Sequence, residues 1–265
     1  MLDIRDIIFQ NIAEKKFRAV LIPERNGCLS GAEDAKKQAE ELGVNLNLFS
    51  GEGDRVKKEE PIGEIITIPK KIAVAEEKII GVLSKFSGIA TAAQKAVKLA
   101  DGKIRIVSGS WKKMPPTIKD GVRKAVVAGG ASFRISSADM VYLDKNYIRM
   151  LGSIPEALAT VSALRGLIKV IQIKGKQFSI EEETVQAIDN GCGILMVDTG
   201  NINDALRCIK KVQEAGMGDE VQIAFAGGVT LGQIPEMADY GIDILCIGKE
   251  IIDAPLLDMR LDVLS

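Results

Sequence analysis

From about residue 103 onward the chain repeats one rhythm, a short apolar run followed by a longer stretch with helical spacing. The runs are 104–107, 140–143, 168–173, 194–197, 222–226 and 244–247, and the intervening helices are 116–128, 154–164, 180–190, 202–215 and 231–240. Short runs this rich in apolar residues, separated by helices, read as strands buried on both faces. Helices must cover those faces, so the pattern predicts parallel βαβ units. Six or seven such strands, with no signal that the winding reverses in the second half, favour an α/β barrel over an open sheet.

The first 70 residues follow a different pattern. Residues 16–23 read as a strand, 31–42 as a helix stopped by Gly43, and 45–50 and 62–68 as short strands beside the turn 51–53. This predicts a small α/β layer on a mainly antiparallel sheet. Residues 72–86 and 90–99 are helical in pattern and are broken at Ser87-Gly88, a bridge between two domains.

Composition narrows the chemistry. Among 265 residues there is no histidine. A Ser-His-Asp triad, a Cys-His pair and a histidine zinc site are therefore all excluded. A net charge of -1 with both signs mixed gives no basic stripe for nucleic acid. No apolar stretch reaches the roughly 18 residues of a membrane span. Cys28, Cys192, Cys208 and Cys246 show no CxxC spacing and read as buried reduced thiols of a cytoplasmic protein.

In an α/β barrel the site lies at the C-terminal ends of the strands, with phosphate at the last loops. Here 222–226 runs into Gly227-Gly228, and 244–247 into Gly248-Lys249. Two adjacent glycine turns, one followed by a lysine, predict a phosphate cradle from Gly227, Gly228, Gly248 and Lys249. Asp198 ends the 194–197 run, where a carboxylate faces the mouth and can hold a ribose hydroxyl or a metal-bound water. Its competing role is a helix cap, for which Thr199 and Asn201 are also available.

Several short motifs in fixed order give the chain a family resemblance. They are Gly53-Asp54-Arg55-Val56, Ser87-Gly88-Ile89-Ala90-Thr91, Gly129-Gly130 with Arg134 and Asp139-Met140-Val141, Ala226-Gly227-Gly228-Val229, Ile247-Gly248, and Ala254-Pro255-Leu256-Leu257-Asp258. The chain resembles the quinolinate phosphoribosyltransferases, also called nicotinate-nucleotide pyrophosphorylases, over nearly its whole length. The resemblance implies a small N-terminal α/β sandwich, 1–86 joined by the tail 254–265, and an open parallel α/β barrel, 87–253. It also implies a homodimer and a reaction that joins a pyridine nitrogen to phosphoribosyl pyrophosphate with Mg²⁺.

Matched position by position, the phosphate end is kept and the ring end is not. Lys112, Arg134 and Asp198 carry over as catalytic residues, with Asp198 the candidate Mg²⁺ ligand. Trp111 replaces an arginine, Phe133 and Tyr147 replace histidines, Asp144 replaces a lysine, and Gln172 replaces a glutamate; these five line the expected substrate pocket. Glu77 falls where an arginine is expected, with Lys78 beside it. The absent histidines map to Ala131, Phe133, Tyr147 and Ile252. Adjacent strand residues face opposite ways, so Lys145 cannot simply stand in for the lysine lost at 144.

Quinolinate is a dianion. At an effective dielectric near 20, one charge at 4 Å is worth about 4 kcal/mol. Several lost cations therefore predict weak or no quinolinate activity. Two readings follow: a phosphoribosyltransferase with an altered ring substrate, or a non-catalytic relative that binds a phosphorylated molecule or a protein partner.

Overall fold

The computed structural model describes residues 3–264, and these form two compact units. The first gathers described residues within 1–95, 111–130 and 251–265. Its sheet has the antiparallel order Met259–Leu264, Phe17–Pro23, Gly63–Thr67, Leu46–Leu48. Period-two alternation sends Leu21, Leu46, Ile65 and Met259 to one face. There they pack with Ala35 and Ala39 of the Ala32–Glu41 helix and with Ala75, Ile79 and Leu83 of the Pro69–Ala100 helix. The short helix Ile4–Ile8 had no clear sequence signal. Its Arg5 pairs with Glu77.

The break expected at Ser87-Gly88 does not occur, because Pro69–Ala100 is one continuous helix. The compact units divide within this helix, after residue 95, and residues 111–130 also belong to the first. The glycine is there for close approach. A Cβ at residue 88 would lie 2.2 Å from the Pro255 carbonyl oxygen. One turn on, Thr91 Oγ1 accepts from Cys28 N at 2.9 Å, and Ser87 Oγ accepts from Ser30 N at 2.9 Å. The Ser87–Thr91 motif is thus a small, polar helix face holding two extended segments.

The second unit holds described residues of 96–110 and 131–250. Six parallel strands lie in the order Arg105–Val107, Ile244–Cys246, Gln222–Ala226, Ile194–Asp198, Ile168–Ile173, Met140–Leu143. Each strand after the first neighbours its successor in the chain, and the last returns to the first. That is the single winding of a barrel, open between its first and second strands. An isolated bridge, Val107 to Ser132, lies in this opening. The second crossover contains Lys145–Leu151, which the sequence reading missed, as well as Ile154–Thr160.

The barrel interior is an apolar layer that includes Val107, Tyr142, Val170, Ile194, Met196, Ala224, Ala226, Ile244 and Cys246. Two residues further along each strand the same inward face reaches the C-terminal mouth. Alternation places Asp144, Gln172, Asp198, Gly228 and Gly248 there.

Candidate active site

Asp198 closes the Ile194–Asp198 strand half-buried. The helix that follows is capped by Asn201, whose side chain accepts from Asn203 N. Asp198 is therefore not used as a cap. Its Oδ2 accepts from Gln172 Nε2 at 2.7 Å and pairs with Lys174 Nζ at 2.9 Å. Lys174 Nζ also donates to the Asp198 carbonyl. The Gln172 amide cannot turn over freely, because its Oε1 accepts from Lys145 N at 2.8 Å. That bond requires an oxygen, so the NH₂ must face Asp198. Beneath them Tyr142 points inward, and burial together with nearby Cys246, Asp198 and Asp144 pushes its phenol well above the usual value.

The two glycine turns differ in purpose. Gly227 allows adjacent loops to touch, since a Cβ there would lie 2.3 Å from Gly200 N. Gly228 has φ +76° and open space around it, which suits an N–H offered to a ligand. Gly248 faces Ser110, whose Oγ lies 2.3 Å from where a Cβ would sit. Lys249 is exposed at the start of Lys249–Ile252.

The sequence reading gave Glu250 no role, yet its Oε2 accepts from Leu231 N at 2.8 Å just after the Gly227-Gly228 turn. A carboxylate so close to the cradle opposes a phosphate. Glu250→Gln is expected to tighten inorganic phosphate or ribose 5-phosphate binding roughly two- to tenfold by calorimetry, on the scale of one hydrogen-bonded charge. Unchanged or weaker binding would argue against a phosphate at this turn.

Asp144 is a helix cap. Its Oδ1 accepts from Asn146 N at 2.7 Å and Tyr147 N at 3.2 Å, holding Lys145–Leu151 in place. Tyr147, on that helix, is exposed, and so is Arg134; Phe133 is half-buried. Trp111 and Lys112 belong to the 3-10 turn Ser110–Lys113, and the Trp111 ring carries the Arg123 guanidinium 4.7 Å from its centre. That face of the indole is already stacked.

A cavity of about 120 Å³ opens between the Lys145–Leu151 helix and the loop after Ile168–Ile173. Lys145, Arg149, Lys174 and Lys176 line it, with Ile148 and Phe178 as apolar walls. The carboxylate in its wall, Glu183, is buried and occupied. It accepts from Lys174 N and Gly175 N at 2.8 Å and from Lys176 N at 3.1 Å. Arg149, Lys174 and Lys176 are cations of this cavity that the sequence reading left out. The signal was present as Lys174-Gly175-Lys176 directly after a barrel strand. Lys145 does line this cavity, because the strand ends at Leu143 and alternation no longer governs the residues after it.

The residues around Asp198 do not fit a Mg²⁺ ion. An ammonium and an amide NH₂ already share its Oδ2, and the second expected carboxylate is Gln172. Among the described residues no three His, Cys, Asp or Glu side chains converge as a metal site.

The thiols are held unreactive. Burial pushes Cys28 up to about 11 and Cys192 and Cys208 up to about 12. The thiolate is the reactive form. Iodoacetamide at pH 8 is therefore expected to leave these three unlabelled in the native protein and label them after unfolding, as read by mass spectrometry. Cys246 is half-buried on the barrel's inner face, so the expectation of four buried thiols holds for three. Among the described residues no helix is long and apolar enough to cross a membrane.

A singly wound parallel barrel with a carboxylate and two glycine turns at its C-terminal mouth defines an α/β-barrel protein whose candidate site lies at that end of the strands. Models of the quinolinate phosphoribosyl transferase N-terminal and C-terminal domains match residues 6–87 and 89–262, and the chain belongs to that family. A probable nicotinate-nucleotide pyrophosphorylase (carboxylating) of Archaeoglobus fulgidus is 25% identical over 256 residues, spanning 96% of this chain and 97% of that one. A probable enzyme of the same name from Bacillus subtilis is 27% identical, spanning 97% and 88%. The structure of the nicotinate-nucleotide pyrophosphorylase from Francisella tularensis shares the fold with a TM-score of 0.83 at 22% identity, over 98% of this chain and 90% of that chain.

Proposed function

We propose that this chain is a phosphoribosyltransferase-type enzyme whose ring substrate is not quinolinate. The observation that carries the reading is Asp198, placed by strand alternation on the same mouth as the Gly228 and Gly248 turns and not spent as a helix cap. The glycine turns hold the 5′-phosphate and Asp198 accepts from a ribose hydroxyl. Exposed Arg134 holds pyrophosphate as the bond from ribose C1 to its oxygen breaks and the bond to a ring nitrogen forms. Lys112 keeps the role of the lysine in the family motif. Such chemistry depends on positioning and charge and needs no histidine.

The changed ring end supports a different ring partner. Asp144 caps a helix where the family has a lysine, and the cations of the neighbouring cavity sit on other positions. The reading includes a homodimer working in the cytoplasm without nucleic acid or membrane. The apolar Ile4, Ile7 and Ile8, exposed on the first helix, offer a surface for the second copy.

A ligand that binds only the folded protein stabilises it, by about 2.7 kcal/mol at a hundredfold excess over Kd. Millimolar phosphoribosyl pyrophosphate or nicotinate mononucleotide is therefore expected to raise the melting temperature by several degrees. No rise with either would contradict the reading.

A further inference from the structure

We propose that the Lys174 ammonium is a resident cation at Asp198, standing where a divalent metal would otherwise be required, so that the barrel mouth takes its sugar phosphate without Mg²⁺. The second half of this statement rests on the phosphoribosyl reading above; the first half does not.

Gln172 is held in one orientation. Lys145 N donates to its Oε1 at 2.8 Å, so its other terminal atom faces Asp198 Oδ2 at 2.7 Å. A glutamate at 172 would accept the same backbone bond and turn its second oxygen on the aspartate. Two carboxylate oxygens that close need a shared proton or a cation between them. In this chain both halves of that demand are removed. The amide supplies a donor instead of a charge, and Lys174 Nζ lies 2.9 Å from the same Oδ2.

Lys174 is also anchored. Its Nζ donates to the Asp198 carbonyl, and its own backbone N–H is fixed at 2.8 Å by the buried Glu183 carboxylate. Alternation along the Ile168–Ile173 strand places residue 174 directly beyond 172 on the same face. The pair is therefore one built unit, a neutral amide and an ammonium on a single carboxylate. A small divalent ion such as Mg²⁺ binds through oxygen ligands, and at this carboxylate it would meet an amide donor and a resident positive charge in place of a second carboxylate.

The test has two arms. Mn²⁺ alone is titrated by electron paramagnetic resonance into the wild-type protein and into a Gln172→Glu/Lys174→Met variant, with Lys174→Gln as a milder second variant. The wild type is expected to show no Mn²⁺ site that Asp198→Asn abolishes. The double variant is expected to gain one, at least about tenfold tighter, and Lys174→Gln to move the same way. Ribose 5-phosphate is then titrated calorimetrically in EDTA and in Mg²⁺, with equal affinity expected. A wild-type Mn²⁺ site lost in Asp198→Asn would overturn the proposal. So would folded variants that gain no site, or ribose 5-phosphate binding that needs Mg²⁺. Failure of ribose 5-phosphate to bind in either buffer would overturn the phosphoribosyl reading and with it Mg²⁺-free sugar-phosphate binding, while the Mn²⁺ arm still decides the role of Lys174.

Discussion

Asp198→Asn is expected to weaken binding of phosphoribosyl pyrophosphate roughly 10- to 100-fold, the loss of one charge-assisted hydrogen bond of about 1.5–3 kcal/mol. The substitution keeps the shape of the side chain and removes its charge. The amide keeps its oxygen toward the two donors, Gln172 Nε2 and the Lys174 ammonium, and puts an NH₂ in place of the other acceptor oxygen. The effect should fall on binding and not on folding. Lys174 loses its counterion, but both groups are partly solvated, and exposed ion pairs contribute little to stability. Calorimetry measures the affinity and thermal melting of the free protein measures the fold. Unchanged affinity would remove Asp198 from the site. A collapsed melting temperature would make it a structural residue.

The largest effect on stability is expected at Gly88. Alanine there places a Cβ 2.2 Å from the Pro255 carbonyl oxygen and 3.2 Å from Leu256 Cα, both backbone atoms. Neither can rotate away as a side chain can. Either the helix or the 255–256 segment must shift, and that segment leads into the Met259–Leu264 strand paired along Phe17–Pro23. Overpacking of this kind costs about 3 kcal/mol, which lowers the melting temperature of a chain this size by roughly 6–12 °C. Gly81→Ala on the same helix is the control. A Cβ at 81 meets nothing within 4 Å, so helix propensity alone should raise stability by up to about 1 kcal/mol. Equal effects at the two positions would contradict the close-approach account of the Ser87–Thr91 face.

These two residues also show what the sequence made legible. The barrel strands were readable because burial on both faces makes them short, mostly apolar runs, and Met140–Leu143, Ile168–Ile173 and Gln222–Ala226 fall where the pattern puts them. Lys145–Leu151 was not readable, because a seven-residue helix with Ile148 as its buried residue has no periodicity to detect. Gly88 was misread because a glycine in a helical pattern looks the same whether it ends the helix or admits a neighbouring backbone. The difference lies in Pro255, 167 positions away.

The site was legible where strand ends determine it. Alternation alone carries Asp198, Gly228 and Gly248 to the mouth. The Lys174–Asp198 pair was not legible, because it depends on the register that sets Gln172 beside Met196 on the neighbouring strand. Charge counted along aligned positions does not register such neighbours, because register and not sequence order brings them to this end of the barrel.

Pyrophosphate release with phosphoribosyl pyrophosphate, measured across quinolinate and a panel of pyridine, pyrimidine and imidazole rings, tests phosphoribosyl transfer to a changed ring most directly. The expected result is release with a ring other than quinolinate, abolished in Asp198→Asn, with quinolinate handled at a kcat/KM well below the roughly 10⁴ M⁻¹ s⁻¹ at the low end of ordinary enzymes. Efficient quinolinate turnover, or no release with any ring, would contradict it.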